Sequence, residues 1–536
     1  MCDHVWDIWS RLPIFAFLVL VYFTWRCSTN ARAATESAFE LQAIRSADAS
    51  KVLGHQLFSE RDQERGYETI TKSRMSFFDI CRRSRMSDKC ASNQDRHYYH
   101  VLYEFHLSQL RDRDGPARFL EIGLGCTMRH GAGGSREIWE KYFNRPELWF
   151  GEYNAKCVDE YKRRHPGFSR IMVGDQSNRT DLARWVETSG GNFDVIVDDG
   201  GHRTPLQMGA FYGLFPSLKP GGLYFIEDIH YQRDAFDRKT KMSGVLRTLL
   251  DWSAQLVGVS RIAKPYSSTL PPDIQSIECM KHMCMIVKKD PSLFDKNPRT
   301  GHAQARPTAA VGRGPESFYD ICKRNLLSDK CSDRQDRHFY HVLYESHLRH
   351  LRKRREPVRF FEIGLGCTMR YGAGGSRQIW EAYFDHVDLW FGEYNRECVK
   401  QYRENNPNFK NIVEGDQSNK EDLQRWVAAS GGNFDVVVDD GGHRTPLQMG
   451  AFYGLFPHVK PGGLYFIEDI HYQKDGTDGH SVHSAVLRTL LDWSAQLVGV
   501  VDSSAYESKV PDDVQSIECM MHMCMIVKKD PALYPY

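Results

Sequence analysis

The chain has 536 residues, of which 41% are hydrophobic, 26% charged and 12% aromatic. This length exceeds that of one ordinary domain, and the composition excludes a chain that is disordered throughout. The formal net charge is only +1, which argues against nucleic acid or an anionic membrane surface as an electrostatically held partner.

The N-terminus contains an uncharged apolar run, LPIFAFLVLVYFTW, at residues 12–25. This run is short for a membrane span and typical of the core of a signal peptide. We expect residues 1–34 to be a signal peptide or membrane anchor and residues 35–75 to be a polar stalk. The favoured location is the secretory pathway, anchored in the lumen of the endoplasmic reticulum or Golgi. The alternatives are a secreted protein and a cytoplasmic protein whose apolar N-terminus packs on its own core.

A long internal duplication organises the rest of the chain. Residues 76–290 recur at 317–530 with few changes, and each copy is long enough to form its own core. The intervening stretch contains NPRTGHAQARPTAAVGRGP, whose composition is typical of a flexible linker. We therefore predict two tandem domains, 76–290 and 316–536, joined by a linker at 291–315.

Strands alternate with helices within each copy. In the first copy the predicted strands are ARFLEIGLG, ELWFGEYN, SRIMVGDQSN, FDVIVDDGGH and GGLYFIEDIH. This alternation predicts an α/β fold with two Rossmann-like domains, each a mainly parallel sheet covered by helices on both faces. The later segment QSIECMKHMCMIVKK predicts an antiparallel hairpin at the sheet edge. Ligands of such sheets bind beyond the carboxyl ends of the strands.

Glycines and acids follow these strands and predict a nucleoside site. Glycine after the first strand admits a ligand close to the backbone. An acid after the second strand suits a ribose diol, and one after the third suits an adenine amine. Neither lysine nor arginine stands at these strand ends, which argues against a phosphate-rich ligand. The alternative is turn glycines with helix-capping acids. The candidate residues are Glu121, Gly123, Gly125, Glu152, Asp175 and Asp198, then Glu362, Gly364, Gly366, Glu393, Asp416 and Asp439.

Three further acids per copy predict a magnesium site. They follow two neighbouring strands, where their charges would repel unless a divalent cation held them, and Mg²⁺ prefers oxygen ligands. The histidine three residues after the first of these acids is the candidate general base. The alternative is that an acid caps the next helix and the histidine is a polar loop residue. The proposed ligands are Asp199, Glu227, Asp228, Asp440, Glu468 and Asp469, and the proposed bases are His202 and His443.

The motifs FLEIGLG, GAGGSREIW, GDQSN, FDVIVDDGGH and LKPGGLYFIEDIH resemble those of class I S-adenosylmethionine-dependent methyltransferases. The nearest group comprises metal-dependent O-methyltransferases of macrolide sugars (mycinamicin type) and cephalosporin-hydroxylase-like proteins. The resemblance covers about 120–230 and 361–471. It implies S-adenosylmethionine as methyl donor and Mg²⁺ bound by the acid of DxxH and the Glu-Asp pair. It also implies that the histidine deprotonates a sugar hydroxyl.

Three functional hypotheses follow. The leading one is a tandem O-methyltransferase acting on a hydroxyl of a small molecule or glycan. The second is a non-catalytic secreted module that binds metal and glycans. A nicotinamide oxidoreductase is disfavoured because Gly123 and Gly125 are followed by Met128 rather than by a third glycine.

Two further features of each copy are its cysteines and, in the first copy, the segment 76–104. Each copy has six cysteines, and Cys81–Cys90 and Cys322–Cys331 are the first pairs we predict as disulfides, with buried free thiols as the alternative. Segment 76–104 lies outside the resemblance and is a candidate lid. Within it, His97 and His100 either contact substrate or pack in a helix, and helix packing is favoured.

Overall fold

A computed structural model describes most of the chain from residue 75 onward. The described residues are 75–84, 89–90, 97–111, 113–128, 131–231, 242–258, 268–294, 316–324, 328–331, 338–369, 372–472, 484–499, 506 and 508–534. The predicted N-terminal targeting segment, the predicted stalk apart from Met75, and the predicted linker apart from residues 291–294 lie outside them. Within the described residues, no helix combines the length and apolar character needed to cross a membrane.

The first copy alternates strands and helices as predicted. Its strands are β1 (Ala117–Ile122), β2 (Pro146–Glu152), β3 (Ile171–Val173), β4 (Phe193–Asp198), β5 (Leu218–Ile226), β6 (Ile274–Met280) and β7 (Met283–Lys288). Its helices are α1 (Phe77–Arg83), α2 (Tyr99–Arg111), α3 (Gly134–Tyr142), α4 (Ala155–Arg164), α5 (Arg179–Ser189), α6 (Thr204–Leu214) and α7 (Gly244–Val257).

The second copy repeats this order. Its strands are β8 (Val358–Ile363), β9 (Val387–Glu393), β10 (Ile412–Glu414), β11 (Phe434–Asp439), β12 (Val459–Ile467), β13 (Val514–Met520) and β14 (Met523–Lys528). Its helices are α8 (Phe318–Arg324), α9 (Tyr340–Leu348), α10 (Gly375–Tyr383), α11 (Arg396–Asn405), α12 (Lys420–Ser430), α13 (Thr445–Leu455) and α14 (Ala485–Val498).

The sheet topology confirms the predicted fold class. In the first copy, β1 pairs in parallel with β2 and with β4, β2 pairs with β3, and β4 pairs with β5. The resulting order, 3-2-1-4-5, is that of doubly wound α/β sheets. The chain reverses its direction of winding between β1 and β4, and the loops after these strands form the crevice where such sheets bind ligands.

Helices cover both faces of the sheet because adjacent strand residues point to opposite sides. In β1, Phe119 packs into a core with α1–α4, whereas Leu120 packs into a second core with α5–α7. The second core is continuous with its equivalent in the other copy and contains both Trp252 and Trp493. Every residue of β4 is buried, as expected for a parallel strand covered on both faces.

The predicted hairpin forms, but its predicted position at a sheet edge is wrong. Strand β7 pairs antiparallel with β5, and β6 pairs antiparallel with β13 of the other copy. All fourteen strands therefore belong to one sheet. The physical reason is that β6 and β13 have nearly the same apolar sequence, so that each edge finds a self-complementary partner in the duplicated chain. The described residues from 75 onward accordingly form one compact unit.

Disulfides join all twelve cysteines of the two copies. The predicted pairs Cys81–Cys90 and Cys322–Cys331 are confirmed, and the free-thiol alternative is wrong for these residues. The further pairs are Cys126–Cys157, Cys279–Cys284, Cys367–Cys398 and Cys519–Cys524.

Candidate active site

The loops at the carboxyl ends of the central strands enclose a pocket in each copy. The cavity measures about 330 Å³ in the first copy and about 340 Å³ in the second. In the first copy its wall includes Gly123, Glu152, Gln176, Asp199 and His202. The structure therefore places a cavity where the strand order predicts a ligand.

Gly123 and Gly125 line this pocket with left-handed backbone angles, φ +99° and +76°. A Cβ atom on Gly123 would lie 2.3 Å from the carbonyl oxygen of Asp199. The glycine thus lets the loop after β1 approach the loop after β4, in addition to leaving space for a ligand. Gly364 has the same relation to Asp440 in the second copy.

Glu152 lines the pocket and also fixes the glycine-rich loop. One carboxylate oxygen accepts a hydrogen bond from the backbone N–H of Leu124, and the other accepts one from the N–H of Asn154, both at 2.9 Å. Each oxygen retains further acceptor capacity. Glu393 makes the same two bonds in the second copy and lines its pocket.

The other predicted cofactor acids lie outside the described pocket lining. Asp175 Oδ1 accepts hydrogen bonds from the backbone and hydroxyl of Ser177. Asp198 is fully buried, accepts a bond from Gln176 Nε2 at 3.1 Å, and has its pKa raised to about 8 by that burial. Glu121 is buried against Trp139. Their equivalents Asp416, Asp439 and Glu362 are placed in the same way.

Gln176, which sequence reasoning missed, occupies the pocket wall instead. Its side-chain oxygen accepts a 2.6 Å hydrogen bond from the backbone N–H of Gly201, while its amide group binds buried Asp198. It therefore connects the loops after β3 and β4. In the motif GDQSN the pocket contact is therefore made by the amide of Gln176 and not by the neighbouring acid.

A buried lysine enters the acidic cluster from outside the sheet. The Nζ atom of Lys89 lies 2.8 Å from Asp199 Oδ2, 2.8 Å from Glu227 Oε2 and 3.0 Å from Glu121 Oε1. Burial would lower the pKa of Lys89, but the surrounding carboxylates, Asp199 first, hold it well above its usual range. The ammonium group thus neutralises part of the charge that the acids bring together.

This lysine was not among the residues predicted from the sequence, because it is not at a strand end. Lys89 lies between α1 and α2, next to the disulfide at Cys90. Lys330 repeats all three contacts in the second copy, with Asp440, Glu468 and Glu362. The available signal was the unchanged tetrapeptide SDKC at 87–90 and 328–331.

Tyrosines of α2 hold the acids that follow β5. The hydroxyl of Tyr99 donates to Asp228 Oδ1 at 2.6 Å and accepts from the Asp228 backbone N–H at 3.2 Å. Tyr103, one helical turn further on, donates to Glu227 Oε1. Asp228 itself has a left-handed φ of +56°, a strained conformation for a residue with a side chain. Tyr99 and Tyr103, both in segment 76–104, therefore hold two acids of the cluster in place.

The predicted base faces one of the predicted metal ligands. His202 lines the pocket, and its Nε2 lies 3.4 Å from Asp228 Oδ2. In the second copy, His443 Nε2 lies 3.5 Å from Asp469 Oδ2. Burial raises the pKa of Asp469 to about 7, and the nearby His443 opposes that rise.

The geometry divides the predicted magnesium ligands into two groups. Asp199 and Asp228 line the pocket, and their carboxylates lie within 4.8 Å of the His202 ring nitrogen. Glu227 is buried and points to Lys89 and Tyr103. Hard carboxylate oxygens on the pocket wall fit Mg²⁺. The same division places Asp440 and Asp469 on the second pocket wall and Glu468 against Lys330.

Two O-methyltransferases are among the known proteins with similar sequences. One is the 8-demethyl-8-alpha-L-rhamnosyl tetracenomycin-C 2'-O-methyltransferase of Streptomyces olivaceus, 34% identical over 180 residues, which are 32% of this chain and 46% of that protein. Another is the mycinamicin VI 2''-O-methyltransferase of Micromonospora griseorubida, 35% identical over 135 residues, or 25% of this chain and 32% of the relative. The chain resembles sugar O-methyltransferases. The resemblance inferred from the motifs is thereby confirmed.

These similarities span less than half of either relative. Among solved structures, the MycE methyltransferase of the mycinamycin pathway, in complex with Mg and SAH, is 23% identical with a TM-score of 0.33. The structural similarity covers 40% of this chain and 55% of the MycE chain. No family model matches the chain.

Proposed function

We propose that each copy is a magnesium-dependent O-methyltransferase that uses S-adenosylmethionine and acts on a hydroxyl group of a sugar or glycan. One observation carries this proposal. A single pocket has the glycine-rich turn of Gly123 and Gly125 on its wall together with the pair His202 and Asp228. The similarity to enzymes that methylate sugar hydroxyls supports the same class of acceptor.

The pocket suits the methyl donor in size and in chemistry. Its volume of about 330 Å³ falls within the range of small-molecule sites, roughly 300–1,000 Å³. Glu152 presents a carboxylate whose orientation is fixed by two backbone bonds, and such a group accepts the protons of a ribose diol. S-Adenosylmethionine, when bound, supplies an electrophilic methyl group and leaves as a neutral thioether.

His202 removes the proton of the acceptor hydroxyl. The Nε2 atom of its ring faces Asp228 Oδ2, and this carboxylate stabilises the imidazolium that results from proton uptake. Tyr99 fixes Asp228 through both of its hydrogen bonds. The proton therefore passes to the histidine as the hydroxyl oxygen gains the methyl group.

Asp199 and Asp228 would hold the magnesium ion, which when bound orients and acidifies the acceptor hydroxyl. Lys89 keeps the Asp199 carboxylate in place by donating a hydrogen bond to Oδ2. Glu227, bonded to the same lysine, supports the site from the interior. The protein's main task is to align the acceptor with a donor that is already activated.

A methyl-transfer experiment on the full chain tests the proposal. Label from S-adenosylmethionine should pass to sugar or oligosaccharide acceptors. It should stop with a chelator, return with Mg²⁺, and be lost in a His202→Ala/His443→Ala double variant. His386→Ala, at an exposed histidine, is the control and should retain activity. Transfer that survives both chelation and the double substitution would overturn this mechanism.

The same experiment separates the enzyme from a non-catalytic metal- and glycan-binding module. Such a module would bind glycans without consuming S-adenosylmethionine. Direct titration of the chain with the methyl donor is the second discriminating measurement, because a glycan-binding module has no need of a donor pocket.

We also propose that the protein resides in the lumen of the secretory pathway, attached through its N-terminal segment. Six disulfides join the described cysteines, and such bonds persist in oxidising compartments. Microscopy of the tagged chain, combined with protease protection of isolated membranes, tests this location. Protease access without detergent would contradict it.

A further inference from the structure

Each copy contains a cluster of three histidines beside the proposed catalytic pocket. The first copy brings together His97, His230 and His282, and the second brings together His338, His471 and His522. In each cluster, one potential ligand atom per residue lies within 4.8 Å of the other two. We propose that each cluster binds a transition-metal ion, with Zn²⁺ as the best match. This site is separate from the proposed magnesium site.

Three different segments supply the ligands of the first cluster. His97 precedes α2, His230 lies in the single turn Ile229–Tyr231 after β5, and His282 lies between β6 and β7. The centroid of the His97 ring lies 5.8 Å from that of His230 and 5.5 Å from that of His282. The ring centroids of His230 and His282 are 3.6 Å apart. A metal bound here would cross-link segments that are distant in sequence.

A backbone hydrogen bond and a pair of stacked rings, His230 and His282 with an interplanar angle of 19°, bring two of these segments together. The N–H of Ile229 donates a 3.1 Å hydrogen bond to the carbonyl of His282. His282 has a left-handed φ of +68°, and His522 has one of +67°. The tight hairpin turn therefore directs its histidine toward the loop after β5 in the first copy and after β12 in the second.

The ligand chemistry suits zinc. Imidazole nitrogen is a preferred ligand of Zn²⁺, and three histidines with one open position form a known type of zinc site. A neutral imidazole is the form that binds metal. Among the described residues, the buried Nδ1 of His282 accepts no hydrogen bond.

A carboxylate stands behind the cluster, as it does in many histidine metal sites. Asp228 Oδ1 lies 3.5 Å from His97 Nε2 and 4.0 Å from His230 Nδ1. The opposite oxygen, Oδ2, faces His202 and the pocket. Asp228 thus lies between the histidine cluster and the proposed magnesium site, and metal binding at the cluster would restrain it.

The cluster also lies where the two copies meet. A Cβ atom on Gly499, the residue directly after α14, would lie 3.2 Å from His282 Cδ2. In the reciprocal contact, a Cβ on Gly258 would lie 3.3 Å from His522. The negative end of a helix dipole favours a nearby cation. Each metal would therefore connect one copy's pocket to the last helix of the other copy.

Metal stoichiometry of the full chain tests the proposal without reference to methyl transfer. The purified protein is stripped with a chelator, exposed to Zn²⁺ in the presence of excess Mg²⁺, desalted and analysed for bound metal. We expect two equivalents of zinc per chain, one per cluster. His282→Asn should remove one equivalent, and the double variant His282→Asn/His522→Asn should remove both.

The matched control is the double variant His202→Ala/His443→Ala, which alters the pocket histidines and should keep both equivalents. Absorption of Co²⁺-loaded unaltered protein provides a second measurement that does not depend on variant folding. We expect intense visible bands of a low-coordinate nitrogen site, displaced by Zn²⁺. A wild-type chain without retained zinc would overturn the proposal. So would zinc loss confined to the His202/His443 variant, or a cobalt spectrum of six oxygen ligands.

Discussion

Lys89 and Glu227 form an ion pair that is closed off from solvent, with Nζ 2.8 Å from Oε2 and both side chains 1% exposed. Lys330 and Glu468 repeat the pair in the second copy at 2.9 Å. A buried ion pair adds little net stability compared with an apolar pair, but the loss of one partner leaves an uncompensated charge. Replacement of the lysine by an uncharged residue of similar size should therefore lower the free energy of unfolding.

Lys89→Met should lower the free energy of unfolding by about 3–5 kcal/mol, because three carboxylates lose their shared cation. Urea denaturation measures this change. Lys141→Met is the control, since Lys141 pairs with Glu137 on an open helix surface and exposed pairs contribute about 0–1 kcal/mol. Equal effects of the two substitutions would contradict the buried-pair interpretation.

Removal of the tyrosine hydroxyls that hold Asp228 and Asp469 should weaken magnesium binding. In a Tyr99→Phe/Tyr340→Phe variant each acid loses a 2.6 Å hydrogen bond, and loss of such supporting partners typically costs about 10–100-fold in metal affinity or activity. Titration with Mg²⁺ measures the effect, and the affinity for S-adenosylmethionine should stay unchanged.

The control for these tyrosines is Tyr212→Phe/Tyr453→Phe, at residues that are 52% and 53% exposed. Magnesium affinity should be unaltered there. An unchanged magnesium affinity in the Tyr99/Tyr340 variant would show that the positioning of Asp228 and Asp469 does not depend on these hydroxyls.

A buried pair at the junction of the copies should make stability depend on pH. His347 Nε2 lies 2.6 Å from Glu518 Oε2. Burial would lower the pKa of His347, but Glu518 raises it overall; burial would raise the pKa of Glu518, but His347 lowers it overall. Glu278 lies opposite Glu518 in the strand register and contacts His106 at 2.7 Å.

The raised pKa of His347 and the lowered pKa of Glu518 together define the pH range in which this pair stabilises the fold. The raised pKa of His347 gives stability that is complete below its unfolded value, near 6.5, and is lost as pH rises through the folded value. The lowered pKa of Glu518 gives stability that is complete above about 4.3 and is lost as pH falls. Thermal unfolding between pH 5 and pH 9 should show a decline above about 6.5. His347→Gln should reduce this decline, whereas His386→Gln should not.

The disulfide Cys126–Cys157 should support donor binding. It joins the glycine-rich loop, where Cys126 lines the pocket, to the first turn of α4. Cys126→Ser/Cys157→Ser should weaken S-adenosylmethionine binding in the first copy, because the loop loses its tether. Calorimetric titration should resolve one weakened and one unchanged site, since Cys367–Cys398 stays intact in the second copy. Two unchanged sites would contradict this role.

Local patterns predicted the sheet and much of the site. Parallel strands place their carboxyl ends at one edge, so residues that follow different strands meet without any knowledge of side-chain contacts. Asp199, His202 and Asp228 could be brought together on this basis. Asp175 binds its own loop through Ser177, and only the loop geometry distinguishes this arrangement from an acid at a strand end that faces a ligand.

The sequence by itself determined the duplication, the doubly wound order of elements and the acids at the strand ends, because these follow from repetition and periodicity. Only the tertiary structure decided the placement of Lys89, which reaches Asp199 across 110 positions of chain. It also decided the pairing of β6 with β13 and the gathering of His97, His230 and His282. Each of these contacts joins segments that are far apart in the sequence and are not related by a helical or strand periodicity. They therefore depend on how the whole chain folds.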